Sequence, residues 1–212
     1  MRHAWRIWVV LGITAWSLLG YAADSPRQNP QLTVFVVERA GASARVLADA
    51  ERNAARVFHQ AGVDVDWINC DQINQESACG RFSQADLVVR LVPRALALSD
   101  EIFGVAFVEN NAGTYADVFF DSIRRLREQD REVSLSPILG DVLAHEVGHL
   151  LLGTNAHSRE GIMQAHWQAG QLQSVAKGQM RFTGEQASKM RARVSSMRRN
   201  RNDSTVVAMA HQ

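Results

Sequence analysis

Residues 145–157 read HEVGHLLLGTNAH. His145 and His149 are four apart, so on an α-helix both rings project from one face. Glu146 is turned about 100° around the axis from His145. Upstream, Ser136-Pro137 is a helix-start signal. Ile138, Leu139, Val142, Leu143, Val147, Leu150 and Leu151 then form a broad apolar stripe. Gly153 ends the run, since glycine takes the left-handed conformation that closes a helix. The spacing predicts one long helix, then a turn that brings the chain back to His157.

The chain before this helix is mostly strands. Residues 32–38, LTVFVVE, are rich in β-branched residues. Ser43 can cap a helix in which Leu47, Ala50, Ala54, Val57, Phe58 and Ala61 recur at helical spacing, with Gly62 as its stop. Val63, Val65 and Trp67 alternate with Asp64 and Asp66, as in a half-buried strand. Residues 87–92, LVVRLV, suit a central strand. Two more strands, 103–108 (FGVAFV) and 115–120 (YADVFF), flank a turn signal at 110–113. Residues 122–132, SIRRLREQDRE, are expected to be a charged, solvated segment. Past the long helix, Thr183 caps a last helix, with Glu185, Gln186 or both supporting its first turn. Ala187, Met190 and Val194 share one side of that helix. The order predicts an α+β domain with an α/β-like start: a mixed five-stranded sheet against two main helices, plus a C-terminal helix.

Both ends differ from the body. Residues 1–22 carry a basic start (Arg2, Arg6), an apolar stretch from Ile7 to Leu19, and small residues at Gly20 and Ala22. That pattern is expected of a secretory signal peptide, and places the mature protein in a secreted or periplasmic compartment. The domain is expected over 23–200, and 201–212 as a disordered tail. Residues 23–176 hold 13 basic and 20 acidic side chains, and 177–212 hold 8 and 2. An acidic body with a basic end gives no argument for a nucleic-acid partner. Once the leader is removed, no apolar segment is long enough for stable membrane insertion. The two cysteines, Cys70 and Cys79, are expected to pair after export and staple the polar loop CDQINQESAC.

Two imidazoles at i and i+4 can reach one zinc ion, which needs a third protein ligand and keeps a fourth position open. The helix itself continues as Leu150, Leu151, Leu152 and cannot supply that ligand. His157 is the first choice, with His166 and then Glu185 behind it. Glu146, beside the metal rather than on it, has the placement of a general base toward water.

HEVGHLLLGTNAH followed by Gly161-Ile162-Met163 resembles the zinc-binding region of the metzincin metalloproteases, whose pattern is HExxHxxGxxH and then a methionine turn. The resemblance makes His145, His149 and His157 ligands of one catalytic Zn2+ ion, Glu146 the base, Gly153 the turn glycine and Met163 the turn methionine. Here the glycine comes one residue later and the third histidine two residues later than in the family pattern. The resemblance further implies a mostly parallel sheet with 103–108 as an exposed edge strand above the cleft. There Gly104 and Ala106 leave room for a protein or peptide substrate to add by main-chain hydrogen bonds. His166 and Trp167 are candidates to line the same pocket.

The expected function is an exported zinc metalloendopeptidase. Two other readings fit the same residues: a zinc hydrolase of a non-protein amide such as cell-wall material, and a catalytically silent binding domain stapled by zinc. The presence of Glu146 argues against the last, since a structural site has no need of a base.

Overall fold

Strands β1 (Gln31–Glu38), β2 (Asp64–Asn69), β3 (Leu87–Val92), β4 (Gly104–Glu109) and β5 (Ala112–Phe119) join in one sheet of order β2-β1-β3-β5-β4. The structure, a computed structural model, describes residues 28–70, 79, 86–95, 99, 101–129, 132–165, 167 and 169–210. The expected signal peptide and residues 71–78 of the cysteine loop lie outside these. β1 pairs in parallel with β2 and β3, and β3 with β5. β4 runs antiparallel to β5 and forms one edge. The sheet is therefore mixed and mostly parallel, as expected. Asn110 and Asn111 turn the β4–β5 hairpin with φ of 51° and 59°. Consecutive left-handed residues match the right-handed strand twist, and asparagine tolerates them best after glycine.

The first helix, α1 (Ala44–Gln60), starts where expected: Ser43 Oγ accepts from the Val46 amide. Gly62, at φ 75°, turns the chain out of it. α1 packs along α3 (Leu135–Leu152), which also lies against β4 and β5. The close approach depends on Gly140, where a Cβ would sit 2.5 Å from the Ala50 carbonyl oxygen. Beside it, Asn53 Nδ2 donates to Asp141 Oδ1 at 2.7 Å and to the Pro137 carbonyl at 3.3 Å. Val34, Val36, Leu87, Val89, Leu91 and Val118 of the sheet share one core with Phe58, Leu139, Leu143 and Leu150 of the helices. Each large aliphatic or aromatic side chain so buried contributes about 1.5–3 kcal/mol.

Three elements differ from expectation. α3 begins at Leu135, after Ser134, so Pro137 lies inside its first turn rather than at its start. A proline is tolerated there because the first amides of a helix lack intrahelical acceptors in any case. The segment expected to be solvated is α2 (Phe120–Gln129), which continues directly from β5 and buries Phe120, Ser122 and Ile123. A short helix, α4 (Ala169–Ala176), occupies part of the expected loop, with Leu172 and Val175 buried.

The last helix, α5 (Gly184–Ala210), follows Thr183. Thr183 and Gln186 cap each other: the Thr183 amide donates to Gln186 Oε1, and the Gln186 amide to Thr183 Oγ1. Ala187, Met190 and Val194 are buried, and the helix runs on to Ala210, within the segment 201–212 expected as a tail. Cys70, just after β2, is disulfide-bonded to Cys79. Among the described residues no helix is long and apolar enough to cross a membrane.

Candidate metal centre and active site

α3 carries His145, Glu146 and His149 in its buried second half, each at most 8% exposed. Gly153, at φ 66°, caps the helix through its amide to the His149 carbonyl. The chain then doubles back. Thr154 Oγ1 accepts from the Ala156 amide, and the Ser158 amide donates to the Met163 carbonyl, closing the loop around His157. The His157 ring centre lies 5.4 Å from that of His145 and 4.9 Å from that of His149. One ring nitrogen from each of the three lies within 4.8 Å of the others. The two extra residues in this turn thus leave His157 beside the pair. His166 lies outside the described residues. Glu185 is exposed, ion-paired with Lys189, and not part of the cluster that the three rings form.

The hydrogen bonds fix which nitrogens are available. His145 Nδ1 lies 2.7 Å from the Ile162 carbonyl oxygen, and His149 Nδ1 lies 2.8 Å from that of Thr154. A carbonyl only accepts, so each Nδ1 carries the proton and each Nε2 presents a lone pair. The two Nε2 atoms face each other at 3.0 Å. Burial pushes the pKa of His145 down to about 3 and also lowers that of His149, so both rings stay neutral at pH 7. Neutral, oriented imidazoles with carbonyl-anchored Nδ1 atoms are the donor set a transition metal takes. The residues present fit such an ion.

Glu146 points to the edge strand. A Cβ at Gly104 would lie 2.6 Å from its carboxylate carbon and Oε1. Burial pushes the Glu146 pKa up to about 8. Glu146 and the three histidines line a cleft of about 560 Å3, with Gly104, Val105 and Ala106 of β4 along one side. Its apolar part includes Val142, Phe103 and Trp167. The Trp167 ring lies 6.2 Å from that of Phe103 and meets His145 edge-on at 6.3 Å. Met163 is fully buried, and a Cβ at Gly148, the residue before His149, would lie 2.7 Å from its sulfur.

No protein-family model matches the sequence, and no curated protein matches it. Solved structures do. Archaemetzincin from Methanopyrus kandleri superposes with a TM-score of 0.50 at 19% identity, over 80% of this chain and 98% of that one. A zinc-dependent peptidase from Methanocorpusculum labreanum gives 0.50 at 15% identity, over 74% and 99%. Metalloproteinase-II from Bacteroides fragilis gives 0.50 at 14%, over 78% of this chain and 53% of that one.

The fold is metzincin-like.

Within this fold the chain sets a pair of histidines on a buried helix, a third on the returning chain, and a buried methionine against Gly148. Phe103 and Gly148 were not singled out from sequence. Phe103 reads there as one more strand residue, and nothing in a glycine's neighbours signals that a thioether will press against it.

Proposed function

We propose that this chain is an exported metallopeptidase that holds one zinc ion on His145, His149 and His157 and uses Glu146 as general base. The observation that carries the reading is the pair of buried, neutral Nε2 atoms facing each other at 3.0 Å beside a carboxylate. Zinc bound there supplies the Lewis acidity that polarises a peptide carbonyl and acidifies water. The protein does the rest. The Ile162 and Thr154 carbonyls hold the two helix-borne rings in register. Glu146, desolvated so that it binds protons near neutrality, takes a proton from water and passes it to the leaving amine. An extended peptide lies along β4, the open edge beside the triad, with a side chain in the apolar part of the cleft near Trp167. Cleavage within a chain suits a cleft with this edge along its side. Export rests on the leader at 1–22.

The test is hydrolysis of casein and of an internally quenched peptide library by the purified chain. Activity is expected to be lost on chelation and restored by stoichiometric zinc, with metal content followed by mass spectrometry. Absence of metal, or cleavage of peptidoglycan fragments in place of peptides, would overturn it.

A further inference from the structure

We infer that Gly104, on the edge strand, is the positioning residue for the Glu146 carboxylate; this rests on the reading of Glu146 as base. Glu146 is 4% exposed, and among the described residues no hydrogen bond is made to its carboxylate. A carboxylate held without donors is placed by the shape of its surroundings. One wall against it is β4. A Cβ built on Gly104 would lie 2.6 Å from Cδ, 2.6 Å from Oε1 and 2.7 Å from Cγ of Glu146. Real Cβ contacts are never that short, so the side chain occupies the space that the missing methyl leaves.

Gly104 does not sit at a left-handed position. Its ladder partner is Val118, and the neighbouring Phe119 amide donates to the Phe103 carbonyl at 2.8 Å. Alanine therefore fits the backbone of this strand, and the cost of the methyl falls on Glu146. The same glycine joins two functions: it begins the strand edge that borders the cleft, and it lets the base lie directly against that edge. A chain added to β4 then meets the carboxylate at a fixed height along the strand.

The test is Gly104→Ala in the full chain. A crystal structure is expected to show β4 in place and the Glu146 carboxylate displaced by more than about 1 Å, since two carbons in contact need about 3.5–4.0 Å. Zinc content, Tm and KM should stay near wild type while kcat falls at least tenfold. The double variant Gly104→Ala/Glu146→Ala, which lacks the Cγ, Cδ and Oε1 that the methyl meets, should turn over no more slowly than Glu146→Ala alone. An unmoved carboxylate, or a loss confined to KM or to zinc binding, overturns the inference. If the wild-type chain proves to cleave no peptide, the proposed function fails, and the carboxylate displacement still decides whether Gly104 sets the position of Glu146.

Discussion

The Nε2 atoms of His145 and His149 lie 3.0 Å apart although each ring already donates its only proton to a backbone carbonyl. Two lone pairs directed at each other repel, and a cation shared between them removes the repulsion. Zinc is therefore expected to stabilise the folded chain strongly. At a free concentration one hundred times its Kd the gain is about 2.7 kcal/mol, read as a rise in Tm on adding zinc and a matching fall on chelation. A Tm indifferent to zinc would leave the triad without its ion.

Glu146→Gln preserves shape and removes the proposed base. The variant is expected to retain wild-type zinc content and lose on the order of 10²–10⁴ in kcat. Mass spectrometry and peptide hydrolysis measure the two together. Full turnover in this variant would assign the proton transfer to another group.

Asp141 gives a pH-dependent stability. It is 1% exposed, and burial pushes its pKa up to about 7 from an ordinary 3.8, opposed by the Asn53 hydrogen bond and by Arg56. An acid raised on folding binds its proton more tightly in the folded state, so its contribution is fully present below pH 3.8 and is lost as pH rises through about 7. Asp141→Asn should remove that slope and stabilise the protein at pH 8 by roughly 1–4 kcal/mol. Urea midpoints of both proteins at pH 4 and pH 8 check this; equal slopes with pH would show that Asp141 stays ionised in the fold.

Gly153 is constrained twice. It holds φ 66°, and a Cβ there would lie 2.2 Å from the Asn111 carbonyl oxygen. The left-handed conformation costs a side chain about 1–2 kcal/mol, and the forced contact adds about 1–3 kcal/mol. Gly153→Ala is expected to lower stability by roughly 2–5 kcal/mol and to weaken zinc binding, because the turn it opens carries Thr154 and His157. Chemical denaturation and zinc titration of the variant test the two effects separately.

Much of the frame was legible because its signals are local. Ser43 caps α1, Gly62 and Gly153 take the left-handed turns their positions demanded, and Thr183 with Gln186 opens α5. The histidine pair was legible from its i, i+4 spacing alone. α2 was missed because charged residues make up half of it, while Phe120 and Ile123, buried, and Leu126, partly buried against the core, are its only large apolar side chains. α4 was missed for a similar reason: Leu172 and Val175 are its only large apolar residues. Pro137 marked the start of α3 a little late, since proline is tolerated throughout the first turn. The contact of Gly104 with Glu146, and of Gly148 with Met163, depends on tertiary approach that no neighbouring residue encodes.

The β4–β5 register breaks between Phe107 and Val108. Such an irregularity bends a strand and sharpens its twist. The straight stretch of the rim is accordingly Gly104 to Phe107, and a visiting chain can follow it for only a few residues before the rim curves away. That brevity has a second side: a ladder so short offers little edge for another strand to zip onto.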